Sequence, residues 1–188
     1  MITKHIDLLI ILSYSIYMNV KETLKILDQE LKGSTGRDLF VCGGAAMIAM
    51  GAWERVTYDI DTILPRIDEE LLEAARRVAS KLGLSKDWLN NGPDSLIQDL
   101  EKGWRERVVE LYRGENLSVY ALGKPDLIKT KLWATCDRME DIDDILFLSP
   151  THEELSEAKE WVLKRDASAV WPQIVEEAMK EIERRRNG

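Results

Sequence analysis

The chain has little of what staples small secreted or zinc-bound domains: two cysteines, Cys42 and Cys136, and two histidines in 188 residues. The cysteines lie far apart in apolar or helical surroundings, and no spacing among these residues makes a zinc site. Neither a disulfide framework nor structural zinc is indicated. A basic surplus is also missing. Lys and Arg number 26 against 34 Asp and Glu, a net charge of −8. That balance argues against broad non-specific nucleic-acid binding, which needs a surface excess of cations. RNA stays open as a partner, because basic groups recur at Arg76-Arg77, at Arg105 and Arg107, and at Arg184-Arg185-Arg186. Taken singly, such clusters read as solvated faces. Long hydrophobic runs are absent too. The mostly apolar stretch from Ile6 to Tyr17 is shorter than the roughly 20 residues that span a bilayer, and no small-residue cleavage site lies between it and the folded domain. It is either a packed extra helix or a start assigned too early, with Met18 the true beginning.

What is there suits a compact intracellular, cytoplasmic enzyme or binding domain with no membrane role: 45% hydrophobic residues, 32% charged, and six tryptophans to fill a core. The expected organisation is an apolar extension over 1–17, a main domain over 18–150 and C-terminal helices over 151–188 packed on the same domain. There are no internal repeats and no low-complexity segments. Asn19 with Glu22 reads as a helix start, followed by a stripe of Leu24, Ile26, Leu27 and Leu31 that Gly33 stops. Asp68 begins a second amphipathic helix through Leu71, Leu72, Ala75, Val78, Ala79 and Leu82, ended by Gly83. Arg105 to Tyr112 and Leu117 to Leu122 read as a β-hairpin. Helix returns after Lys124-Pro125. The last helical region begins with Ser149 as cap and Pro150 at the first position, or with a Thr151/Glu154 capping box. A break near Asp166 to Ser168 precedes the final helix.

The run Arg55-Val-Thr57-Tyr-Asp59-Ile-Asp61 places two carboxylates two residues apart in a β-like segment, so Asp59 and Asp61 face one side and can share a divalent cation. Tyr58, Ile60 and Ile63 are expected to point toward a core, and the strand should end at Leu64-Pro65. Spacing alone is weak, since Asp141-Ile-Asp143 repeats it in a helical pattern where such residues do not face each other. Context strengthens the first pair. Phe40-Val41-Cys42-Gly43-Gly44 reads as a strand and a tight turn, and Ala45 to Met50 as a buried helix leading to the carboxylates. A glycine turn opening a helix offers backbone N–H groups and a positive dipole end to a polyphosphate, although glycines there are often simple turn residues.

The motifs Val41-Cys42-Gly43-Gly44-Ala45-Ala46, Arg55-x-Thr57-x-Asp59-Ile60-Asp61, Asp126-Leu127-Ile128-x-x-Lys131-Leu132-x-Ala134 and Arg138-x-x-Asp141-x-x-Asp144-Ile145 together resemble the AbiEii-type nucleotidyltransferases. These belong to the polymerase-β-like superfamily, whose members include toxins of toxin–antitoxin systems. The resemblance implies an α/β fold, a small mixed sheet flanked by helices with a helical C-terminal region. It implies Mg²⁺ or Mn²⁺ held by Asp59 and Asp61, and nucleotide contacts from Gly43, Gly44, Arg55 and Thr57. Lys131 with Asp141 or Asp144 would form the second half of the site. The expected partners are an NTP, an acceptor that is an RNA such as a tRNA, a protein or a small molecule, and an antitoxin; a homo-oligomer is compatible. In this chain Gly44 stands where the superfamily often has a serine, so that contact would come from backbone alone. A third acidic ligand is common in active members, and Glu110 is the candidate here, against an ordinary exposed strand residue.

Two further residue groups carry paired readings. Trp88 and Asn90 either stack on and hydrogen-bond a nucleobase, or plug the core and cap a turn. Lys131 either neutralises phosphate charge or snorkels from a helix surface. Arg138, Asp141 and Asp144, at spacings of three, are expected to share a helix face and pair with one another and with Lys131, with Arg138 in a structural ion network. The resulting expectation is a metal-dependent transfer of NMP from an NTP; the alternative is a catalytically degenerate binding or regulatory module of the same fold.

Overall fold

A computed structural model describes residues 18–33 and 35–187. The stretch from Ile6 to Tyr17, and the expectations placed on it, lie outside the described residues. Helix α1 spans Val20–Glu30, with the Asn19 side chain accepting a hydrogen bond from the Glu22 N–H at 3.2 Å. It ends three residues before Gly33, which takes a left-handed φ of 93°. Strand β1 (Arg37–Val41) leads into the short helix α2 (Gly43–Ala49), and β2 (Ile60–Leu64) comes next. Helix α3 covers Glu69–Leu82; Asp68 caps its start and Gly83, at φ 68°, its end. Beyond it lie the two-residue strand β3 (Leu89–Asn90), 3₁₀ turns at Asp94–Gln98 and Trp104–Arg107, and strands β4 (Val109–Arg113) and β5 (Leu117–Ala121). The chain closes with helices α4 (Lys124–Arg138), α5 (Ile142–Leu148), α6 (His152–Leu163) and α7 (Trp171–Asn187). Of the two starts open for α6, the Thr151/Glu154 capping box is the one formed.

The strands make one mixed sheet in the order β3-β2-β1-β5-β4, with β1 antiparallel to β2 and parallel to β5, and β2 parallel to β3. Helix α2 lies against β2, β4 and β5, α1 packs on α3, and α4 packs against α5, α6 and α7. A small mixed sheet flanked by helices, with a helical C-terminal region, is therefore the architecture of this α/β chain. Among the described residues, no helix is long and apolar enough to cross a membrane.

Three local expectations need correcting. Tyr58 does not face the core: it is 56% exposed, because the segment before Ile60 bends instead of forming strand, while Ile60 and Ile63 are buried. The hairpin's first strand begins at Val109, since Gly103 adopts a left-handed φ and starts a 3₁₀ turn over Trp104–Arg107. Arg138 and Asp144 do not share one helix: Met139 is left-handed and ends α4, and Asp141 stands at the N-cap of α5.

Trp88 is fully buried, and its indole N–H donates to the Ala75 carbonyl at 2.9 Å. It fills the space between α3 and the sheet and has no face left for a nucleobase. Trp88→Ala is expected to lower the unfolding free energy by about 3–5 kcal/mol, as for large aromatics removed from a close-packed core. Urea denaturation with an unchanged m-value checks this.

Candidate active site

Asp61 lies early in β2, with its carbonyl accepting from the Cys42 N–H at 3.0 Å. This bridge brings the carboxylate strand against the glycine turn. Gly43 has a φ of 62°, and a Cβ on it would stand 2.5 Å from Asp61 Oδ2. Only glycine meets both demands, left-handed backbone and room for a carboxylate. Gly44 is held by a different neighbour. A Cβ there would meet Thr57 Oγ1 at 2.5 Å, so a serine at this position would collide with Thr57. The Thr57 hydroxyl in turn donates to the Asp59 carbonyl at 3.0 Å. Asp59 is exposed just ahead of the strand, and Asp61 is half-buried.

A cleft of about 600 Å³ opens on this corner. Cys42, Gly43 and Asp61 form one side, and Thr130, Lys131, Ala134 and Arg138 of α4 another. Pro93 and Leu96 add an apolar edge, and Arg165 and Trp171 close the far end from the C-terminal helices. Burial, then the Asp61 charge, pushes the Cys42 thiol up to about 12, which disfavours the thiolate. Burial, then the Asp59 charge, raises the Asp61 carboxyl above the usual carboxylate range. Two like charges in a partly dry corner are the chemistry that a divalent cation relieves, and Mg²⁺ commonly takes one or two protein carboxylates plus substrate phosphates. Asp61, which lines the cleft, and Asp59, which does not line it but whose charge reaches Asp61, would supply that donor set. Among the described residues, no group of three or more His, Cys, Asp or Glu side chains is placed to hold a metal.

Glu110 is not part of the site. It sits on the edge strand β4, level with the Phe40–Leu64 end of β1 and β2, and its carboxylate binds Arg113 at 2.6 Å. With two strands between β4 and β2, the spacing alone separates it from Asp61 by roughly 14 Å. It is the exposed strand residue of the plainer reading.

Lys131 is not a surface side chain, although it lines the cleft. It is buried, with its ammonium 2.6 Å from Asp141 Oδ1 and, as an ion pair, 2.7 Å from Asp144 Oδ2. Arg138 binds Asp141 Oδ2 at 2.8 Å, and Arg55 pairs with Asp144. Arg55 and Thr57 flank Gly44 and are not among the residues that line the cleft. Burial raises the Asp141 carboxyl, but hydrogen bonds and charge from Lys131 and Arg138 outweigh it and the net shift is downward. The cation best exposed to the cleft is Arg138, with 54% of its side chain accessible. Its position two helical turns after Lys131 was the signal available in sequence. Asn90 caps a turn, accepting from the Gly92 N–H at 2.7 Å, and as the register partner of Asp61 it stands close enough to lower that carboxyl against the pull of burial.

Lys131→Met leaves two buried carboxylates without their shared cation and is expected to cost about 3–5 kcal/mol of stability, read by chemical denaturation. For Asp61, the raised folded-state value means that its contribution to stability is fully present below the unfolded-state value and is lost as pH rises through the folded one. Asp61→Asn is therefore expected to melt at a higher temperature than the unmodified protein at pH 7 in chelator, with the gap closing in acid below the carboxylate range. A lower melting temperature at pH 7 would show that the carboxylate is not under electrostatic stress.

No curated protein and no solved structure gives a match to the chain. Residues 19–153, well over half of the chain, match the family described as nucleotidyltransferase of unknown function (DUF6036). That span begins at the cap of α1, runs through the glycine turn, the carboxylate pair and the Lys131 cluster, and ends as α6 begins; the chain belongs to this nucleotidyltransferase family.

Proposed function

We propose that the cleft binds an NTP and transfers its NMP to an acceptor hydroxyl, with Asp59 and Asp61 holding Mg²⁺ or Mn²⁺. The observation that carries this reading is the seat of Asp61 directly against Gly43, in a cleft that Arg138 also lines from α4. When bound, the cation supplies charge neutralisation for the triphosphate. Arg138 faces the same phosphates from α4, while Lys131 keeps α4 and α5 in place behind it. The Gly43-Gly44 turn lets backbone come close to a phosphate without side-chain interference. In the transfer, the acceptor oxygen forms a bond to the α-phosphorus, the bond to the α–β bridging oxygen breaks, pyrophosphate leaves, and the hydroxyl proton passes to solvent.

The order of the motifs supports placing the chain near the AbiEii-type enzymes, and with that a toxin role opposed by an antitoxin. An RNA such as a tRNA, a protein or a small molecule can supply the hydroxyl. A second reading is favoured by the remote position of Glu110: a catalytically degenerate module that binds nucleotide or a partner without turnover, since fold does not guarantee chemistry.

Incubation with each α-labelled NTP, Mg²⁺ or Mn²⁺ and separate RNA and protein extracts distinguishes the two. Label transferred by the unmodified protein and abolished in the Asp59→Ala/Asp61→Ala variant is the expected result, and it identifies the acceptor class. NTP binding without transfer supports the degenerate module, and loss of both overturns the nucleotide reading.

A further inference from the structure

Strand β3 is two residues long, yet it sets one side chain beside the carboxylate strand. It pairs in parallel with β2 so that Asn90 is the register partner of Asp61. Neighbouring strands are about 4.8 Å apart, which puts the two side chains within reach of each other. A primary amide has an accepting and a donating end, and the hydrogen-bond network decides which one faces which neighbour. Here the accepting end is committed. Asn90 Oδ1 takes the Gly92 N–H at 2.7 Å, and a Cβ on Gly92 would stand only 2.9 Å from that oxygen. The turn after β3 is shaped around this contact.

With Oδ1 engaged, the Nδ2 end remains. It makes one long contact, 3.5 Å to the Asp87 carbonyl, and it is the end that can donate toward the Asp61 carboxylate of the paired strand, whose pKa Asn90 lowers against the upward pull of burial. On the opposite side Asp61 Oδ2 presses into the space left by the missing Gly43 Cβ. The carboxylate thus stands between a backbone without a side chain and a neighbouring amide whose remaining end can only donate.

We propose that Asn90 is the positioning residue of the cation site: a neutral donor, oriented by Gly92, that fixes the Asp61 carboxylate for metal binding without being a ligand itself. This rests on the reading of Asp59 and Asp61 as cation ligands. An amide oxygen is a serviceable hard ligand in general, but in this chain the backbone of Gly92 already occupies it. The amide also contributes no charge beside the carboxylates of Asp59 and Asp61.

The test uses the full chain, Mn²⁺ as probe, and two variants that keep an oxygen for the Gly92 N–H. Asn90→Ser can still cap the turn but is too short to donate to Asp61. Asn90→Asp keeps the shape and replaces the donor with a carboxylate oxygen. Mn²⁺ affinity is read by water-proton relaxation, and the melting temperature of each variant is measured in chelator. Asn90→Ser is expected to weaken Mn²⁺ binding by about 10-fold, the usual scale for a lost outer partner of a metal ligand, with little change in melting. Asn90→Asp is expected to bind Mn²⁺ more tightly than Asn90→Ser and to melt lower in chelator, because added charge faces Asp61. Equal Mn²⁺ affinity for Asn90→Ser and the unmodified protein overturns the assignment of Asn90 alone. No Mn²⁺ binding by the unmodified protein overturns the cation reading of Asp59 and Asp61, and this inference with it.

Discussion

The buried ammonium of Lys131 is the contact on which the rest of the site depends. It joins Asp141 and Asp144, and those carboxylates in turn hold Arg138 and Arg55. Charges withdrawn from water are tolerated only when each finds a partner of opposite sign with good geometry. The consequence is mechanical as well as electrostatic. Three separate pieces of chain, the segment before β2, helix α4 and helix α5, are tied at one point. Arg55 then carries the constraint toward the glycine turn, since Arg55 Nε and Thr57 flank the space beside Gly44.

The glycine pair and the carboxylate run, separated in sequence, are one feature in space. Asp61 needs the emptiness at Gly43, and Thr57 needs that at Gly44. Thr57 also fixes the Asp59 backbone, so the two acidic residues are set by two glycines through different contacts. This explains why a serine in place of Gly44 does not suit this chain: the hydroxyl it would bring collides with the one Thr57 already supplies.

Asp61, Lys131, Asp137 and Arg138 line one part of the cleft, and Pro93, Leu96, Arg165, Asp166 and Trp171 line another. Asp61, Lys131 and Arg138 lie within the span shared with the nucleotidyltransferase family, whereas Arg165 and Trp171 lie beyond it. The C-terminal helices are bound to that cleft. Trp161 and Arg165 both reach Asp99, at the end of the Asp94–Gln98 turn, and the Arg165 guanidinium lies 4.5 Å from the centre of the Trp161 ring. The matched region thus supplies most of the cleft's lining, and the segment after it adds Arg165, Asp166 and Trp171.

Local signals made much of the fold legible in the chain itself. Asp68 and Gly83 bound α3, and Thr151 with Glu154 starts α6, because caps and turns act within a few residues of the groups they satisfy. The glycine turn and the acidic pair were legible for the same reason: each is a short motif with its own backbone or spacing requirement. The pairing of Lys131 and Arg138 with Asp141 could also be read from helical spacing, although the break at Met139 could not. Strand order was decided only in the tertiary structure, and with it the fate of Glu110 and Asn90. Alternation along a strand tells which face a residue takes but not which strand lies beside it. Insertion of β1 and β5 between β2 and β4 carried Glu110 away from Asp61, and the parallel pairing of a two-residue strand brought Asn90 to it. Burial of Lys131 was likewise a product of packing, since a helix surface becomes an interior only when the start of α5 brings Asp141 and Asp144 against it.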